Sequence, residues 1–164
     1  MKMLEKSFAV IIALIFLSAG AYAQGGAAAK PLTKPVFDAE LAKKLGADKY
    51  GMKSYVLAIL KTGPKDKDFK GKDREELFKG HMANMNRLAA EGKLAVAGPF
   101  GKNDKDFRGL FILNVTTVED AKKLTDTDPV VKSGMMVVEH VVWLGSAALM
   151  ETNSIHERIA EVEM

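Results

Sequence analysis

The chain holds three histidines, His81, His140 and His156, and no cysteine. Lack of cysteine removes disulfides, thiolate metal sites, iron–sulfur clusters and cysteine nucleophiles. The HExxH and GxSxG patterns are also absent, leaving no evident zinc-protease or serine-hydrolase chemistry. What stays open is proton transfer by imidazole near neutral pH, which works best when a carboxylate orients the second ring nitrogen. His81 falls one helical turn after Leu77 and one before Met85, at the flank of an apolar stripe. Two readings follow: a hydrogen-bonded, inert histidine at the core edge, or a general acid or base against a cleft wall. Asp128 is the candidate carboxylate, although Asp before Pro also makes turns on its own. Arg74 could meet an anion near the start of the His81 helix. Glu139 and His140 interrupt the last apolar segment and point to opposite faces; Glu139 could line a cavity. His156 lies in an exposed tail. Met82, Met85, Met135 and Met136 could in principle bind copper(I), but their spacing reads as core packing. No metal and no cofactor is expected.

The elements that must position these residues follow from periodicity and punctuation. Asp38 suits the N-cap of a short helix with Leu41 and Leu45, stopped by Gly46. Ser54 to Leu60 reads as a strand and Lys65 to Lys72 as a solvated loop. Asp73 to Glu91 is the clearest helix: Leu77, Phe78, Met82, Met85, Leu88 and Ala89 recur at three- and four-residue spacings, with Asp73, Glu75 and Glu76 at the positive end of the dipole. Strands follow at Leu94 to Ala97 and Gly109 to Val115, joined by a polar turn over 101–106. Thr117 caps a second helix with Asp120 three residues on. Asp126 to Pro129 interrupts it, and Met135 to Leu144 is the last strand. Ile155, Ile159 and Val162 suggest a short amphipathic tail helix. The order strand, helix, strand, strand, helix, strand predicts an α+β fold, the ferredoxin-like βαββαβ sandwich of two helices over a four-stranded antiparallel sheet.

The whole chain is 164 residues and 17.8 kDa, 48% hydrophobic and 27% charged, the size and balance of one globular domain. A net charge of +3 with alternating signs speaks against nucleic acid as partner. Lys2 and Lys6 precede an apolar run from Phe8 to Leu17, and Ala21-Tyr22-Ala23 precedes Gln24. That is the layout of a secretory signal peptide over residues 1–23. The protein is therefore expected to be exported, periplasmic or secreted, with no stable membrane insertion after cleavage. Residues 24–52 read as linker and short helix, 53–145 as the folded domain, and 146–164 as a helical tail.

One feature of the strands departs from a half-exposed sheet. Val56 to Leu60, Leu110 to Leu113 and Val141 to Leu144 are apolar at successive positions, so both faces of the sheet are greasy, where a half-solvated sheet alternates. A second copy of the same sheet would cover the open face, because an uncovered one exceeds what monomers tolerate. A homodimer through that face is expected, walling off a hollow for a small organic ligand.

Together these segments resemble the YciI-related (YCII) family of small dimeric α+β-barrel proteins. The resemblance is carried by Tyr55-Val56-Leu57-Ala58-Ile59-Leu60, by His81-Met82-Ala83-Asn84-Met85-Asn86-Arg87-Leu88 leading to Gly92-Lys93-Leu94, and by Ala97-Gly98-Pro99. It continues through Gly109-Leu110-Phe111-Ile112 and Thr127-Asp128-Pro129-Val130-Val131-Lys132-Ser133-Gly134. It implies that His81 and Asp128 match the family's proposed His–Asp pair. On that footing the chain is either a cofactor-free acid–base enzyme of isomerase or lyase type or a non-catalytic ligand-binding or interaction protein of the cell envelope.

Overall fold

Residues 35–162 are described by the computed structural model; the expected signal peptide lies outside them. Asp38 accepts a hydrogen bond from the Leu41 amide and opens α1 (Ala39–Leu45), which Gly46 ends in the left-handed conformation, φ 70°, open to glycine without a Cβ penalty. The succeeding elements are β1 (Met52–Thr62), α2 (Gly71–Ala90), β2 (Leu94–Pro99), β3 (Phe107–Leu113), α3 (Val118–Thr125), α4 (Pro129–Lys132), β4 (Met136–Ser146) and α5 (Thr152–Ile159). Helix α2 starts two residues before the first acidic residue of its sequence pattern. The Asp-Pro interruption after α3 proves to be the start of a further short helix: Asp128 caps it, accepting from the Val130 amide, with Pro129 at its first position, where proline's missing N–H is harmless.

The four strands form one antiparallel sheet in the order β2-β3-β1-β4, the ferredoxin-like arrangement of two split βαβ units. Register assigns the faces. Val56, Ala58 and Leu60 of β1 stand beside Leu113 and Phe111 of β3 and beside Val142, His140 and Val138 of β4. This face packs on α2, α3 and α4 through Leu88, Ala121 and Val130, and is the main core.

The alternate residues point outward, with Tyr55 opposite Trp143, Leu57 opposite Val141 and Ile112, and Ile59 opposite Glu139 and Leu110. The chain itself covers one end of this outer face: Leu149 and Met150, in the 3-10 turn between β4 and α5, pack against Tyr55, Ala95 and Ile112. That cover was not expected from the strand pattern, which says that a face is apolar and not which segment reaches it. Beyond the tail's reach Val137, Val141 and Trp143 remain exposed. The two sheet edges also differ. Asn153 donates to the Leu94 carbonyl of edge strand β2 at 2.8 Å, whereas edge strand β4 leaves Val142 and Leu144 more than half exposed.

Candidate active site

His81 sits in the middle of α2 on the side facing the sheet. Its ring lies nearly parallel to Phe111 of β3, centroids 5.8 Å apart, and meets the Phe78 ring edge-on at 6.1 Å. Phe78 is three residues back on the same helix, so helical spacing supplies one wall and the strand ladder the floor. Asp128 arrives from the turn between α3 and α4. Its Oδ2 lies 2.7 Å from His81 Nδ1, while Oδ1 accepts from the Val130 amide at 3.1 Å. The turn-making and ring-orienting roles are thus one arrangement, each carboxylate oxygen serving one.

The side chain of Asp128 has no exposure and that of His81 retains 12%. A carboxylate can only accept, so Nδ1 carries the proton in this bond. Nε2 is then the nitrogen left to exchange protons with a ligand.

Gly80 makes the approach possible, and its role was not apparent in the sequence. A Cβ at this position would lie 2.8 Å from Pro129 Cγ, closer than real side chains pack. A glycine inside a helix costs about 1 kcal/mol relative to alanine; here it lets the Asp128–Pro129 turn close against α2. A second link lies one turn further along. Arg87 Nη2 donates to Asn84 Oδ1 at 2.8 Å and to Thr127 Oγ1 at 3.0 Å, holding the residue before Asp128 to the helix that carries His81.

Arg74 is drawn into the same neighbourhood indirectly. Its guanidinium stacks over Phe78, 5.5 Å from the centroid, and is held by Asp66 through an ion pair of 2.9 Å and a bond to its carbonyl of 3.1 Å. An incoming anion would have to compete with Asp66. Glu139 is not brought to the pair. It lies on the outer face, more than half exposed, with Lys61 at 3.5 Å, because its neighbour His140 takes the inward position. His140 Nε2 lies 3.1 Å from Thr125 Oγ1. The Thr125 hydroxyl donates to the Lys122 carbonyl, so the ring nitrogen is the donor in this bond. Burial, reinforced by Lys122, lowers the His140 pKa below the usual histidine value. His156 is exposed on α5.

A cleft of about 680 Å³ runs between α2, β2 and α5 past Met85, Leu94, Val96, Asn153 and His156. It includes neither member of the pair. The pair lies on the helix-covered side of the sheet, so a partner closing the outer face would not enclose it. The hollow between protomers expected from the strands is therefore not where these residues stand. Among the described residues no three His, Asp or Glu side chains converge into a set that could hold a metal ion.

A ferredoxin-like sandwich with a buried histidine–carboxylate pair set between a helix and a turn is the class that fold and site define. Residues 55–144 match the YCII-related domain, and the chain belongs to that family. Among solved structures, the chain is similar to 5-chloro-2-hydroxyhydroquinone dehydrochlorinase (TftG) from Burkholderia phenoliruptrix AC1100, in complex with 2,5-dihydroxybenzoquinone. That likeness covers 56% of this chain and 93% of the other, at 20% identity and a TM-score of 0.38. No curated protein matches the chain.

Proposed function

We infer that the protein is a general acid–base catalyst acting on a small organic molecule, of isomerase or lyase type. The observation that carries this reading is the 2.7 Å bond from His81 Nδ1 to a carboxylate with no solvent exposure. A buried anion on Nδ1 fixes the ring's tautomer and stabilises the imidazolium formed when Nε2 takes a proton. Nε2 removes a proton from a carbon or hydroxyl of the ligand. The same nitrogen returns it elsewhere on the carbon frame, or to a leaving group, and the enzyme is regenerated unchanged. Phe78 and Phe111 give the ring an apolar setting in which such an exchange is little screened, and suit a flat or aromatic ligand. The chemistry of this pair needs no cofactor.

The test is hydrogen–deuterium exchange at acidic C–H positions in a panel of enolisable carbonyls and polyhydroxylated aromatics, followed by NMR in D2O. Wild-type protein should accelerate exchange for part of the panel, and His81→Ala should abolish the acceleration. Acceleration that survives His81→Ala overturns the reading. A second reading, non-catalytic ligand binding, draws on the position of the large α2–β2–α5 cleft away from the pair. It expects no acceleration by wild-type protein and a lowered melting temperature alone in His81→Ala.

The protein also self-associates in this reading, with a second copy on the uncovered part of the outer face. Exposed Val137, Val141 and Trp143, with the Lys61–Glu139 ion pair among them, support it, since exposed apolar surface bordered by polar groups marks contact surfaces. Sedimentation should give a dimer at micromolar concentration and a monomer for Trp143→Glu; a monomeric wild type refutes it. Export is proposed on the pattern of residues 1–23, and an N-terminus at Gln24 on protein recovered from outside the cytoplasm would support it.

A further inference from the structure

Two residues of α2 reach the turn that carries Asp128. His81 bonds Asp128, and Asn84, one turn further on, meets Thr127. The two contacts are parallel rungs between the same pair of elements. Residues three apart on a helix and neighbours in a turn keep nearly fixed spacings, so the outer rung sets how the inner one is aligned. The Thr127 hydroxyl lies 2.8 Å from Asn84 Oδ1 and 2.6 Å from the Leu124 carbonyl. Arg87 Nη2 donates to both Asn84 Oδ1 and Thr127 Oγ1, and Nη1 of the same guanidinium is held by Glu91 at 2.8 Å.

The choice of an amide at position 84 is informative. Arg87 requires an acceptor, so Oδ1 must face it, and Nδ2 is turned to the interior. There it is buried with no hydrogen-bond partner. A buried unpaired donor is destabilising, because it has given up its bonds to water for nothing. An aspartate would fit the same space, accept from Arg87 and Thr127 equally well, and leave no unpaired donor. What it would add is a second negative charge beside Asp128 and one helical turn from His81.

We propose that Asn84, with Arg87 and Thr127, is the positioning group of the His81–Asp128 pair: it locks the turn in register and, by being an amide, keeps the site at a single negative charge. The proposal rests on that pair being the working site, and it concerns the pair's alignment rather than any particular ligand. Of the other charged side chains on the elements packed around the ring, Arg74 pairs with Asp66, Arg87 with Glu91 and Lys123 with Asp120; Lys72, Asp73, Glu75, Glu76 and Lys79 of α2, Glu119 and Lys122 of α3, Asp126 beside the turn and Lys132 of α4 are exposed, and Arg108 of β3 is partly so. Position 84 touches the residue before Asp128 and stands one helical turn from His81, so a charge there would act most directly on the pair.

The experiment reads the His81 ring by NMR in the full chain, using the hydrogen-bonded Nδ1 proton and the pH titration of the ring signals. Thr127→Val removes the hydroxyl at nearly constant volume. It should weaken or broaden the Nδ1 proton signal, and Thr127→Ser should restore it. Asn84→Asp should keep the signal and move the titration of the ring upward, since a second carboxylate favours the imidazolium. An Nδ1 signal unmoved by Thr127→Val, or a titration unmoved by Asn84→Asp, overturns the proposal. These readouts do not depend on turnover. Moved ring signals together with no catalysed exchange would sink the acid–base reading and leave the positioning role standing; the reverse would sink the positioning role alone.

Discussion

His81 and His140 are both inward-facing histidines whose partners lie three residues apart at the end of α3. His140 meets the Thr125 hydroxyl at 3.1 Å and His81 the Asp128 carboxylate at 2.7 Å. The hydroxyl has already given its hydrogen to a carbonyl, so His140 is the donor to it, and burial of the ring opposes charge. The carboxylate instead can only accept, so His81 gives it the Nδ1 proton and leaves Nε2 to a ligand. Inward placement alone therefore does not make a histidine chemical; the kind of group opposite does.

Removing His81 should have the largest effect. His81→Leu leaves the Asp128 carboxylate buried without its partner, and stability at neutral pH should fall by about 3–5 kcal/mol. His81→Leu combined with Asp128→Asn should lose clearly less, because the uncompensated charge is gone. Urea unfolding of the two variants checks the order, and equal losses would mean that the carboxylate is not the source. Gly80→Ala comes next. Helix propensity alone predicts a gain of about 1 kcal/mol, but the crowding against Pro129 should outweigh it by about 1 kcal/mol net, with a weakened His81 Nδ1 proton signal. A stabilised variant with that signal intact would show that the turn has room to spare.

The smallest effect concerns pH. The His140 pKa is lower folded than unfolded, so the unfolded chain takes up the proton first. Its contribution to stability is full above the ordinary value of about 6.5 and declines as pH falls from there to the folded value. His140→Gln should flatten that part of the stability–pH curve, as read by denaturant midpoints between pH 7 and pH 5 (bounds taken roughly around the ordinary histidine range). An unchanged slope would place the ring's protonation outside the folding balance.

Several features of this molecule were legible without coordinates, and for local reasons. Asp38 and Thr117 announce helix starts because their side chains accept from amides three residues on. The α2 stripe and the apolar strands announce their elements by period, and the order of elements gives the sheet. The likeness to the YCII-related family, which the match over residues 55–144 bears out, rested on short runs of the same local kind. The turn at Asp128 was legible as a turn, its carboxylate was a candidate partner for His81 by residue type alone, and the match of the two to a His–Asp pair was implied by that likeness.

What the sequence by itself determined is therefore the set of elements, their order, and which residues are apolar or titratable, since caps, turns and periodicity act over a few residues. Only the tertiary structure decided which of these meet. It set His81 against Asp128, 47 residues away, placed Glu139 on the far side of the sheet, and sent Leu149 and Met150 over one end of the outer face. It also gave Gly80 and Asn84 their tasks. A missing methyl group and an amide in place of a carboxylate acquire meaning only when another segment stands a few ångströms away, and sequence spacing does not fix that distance.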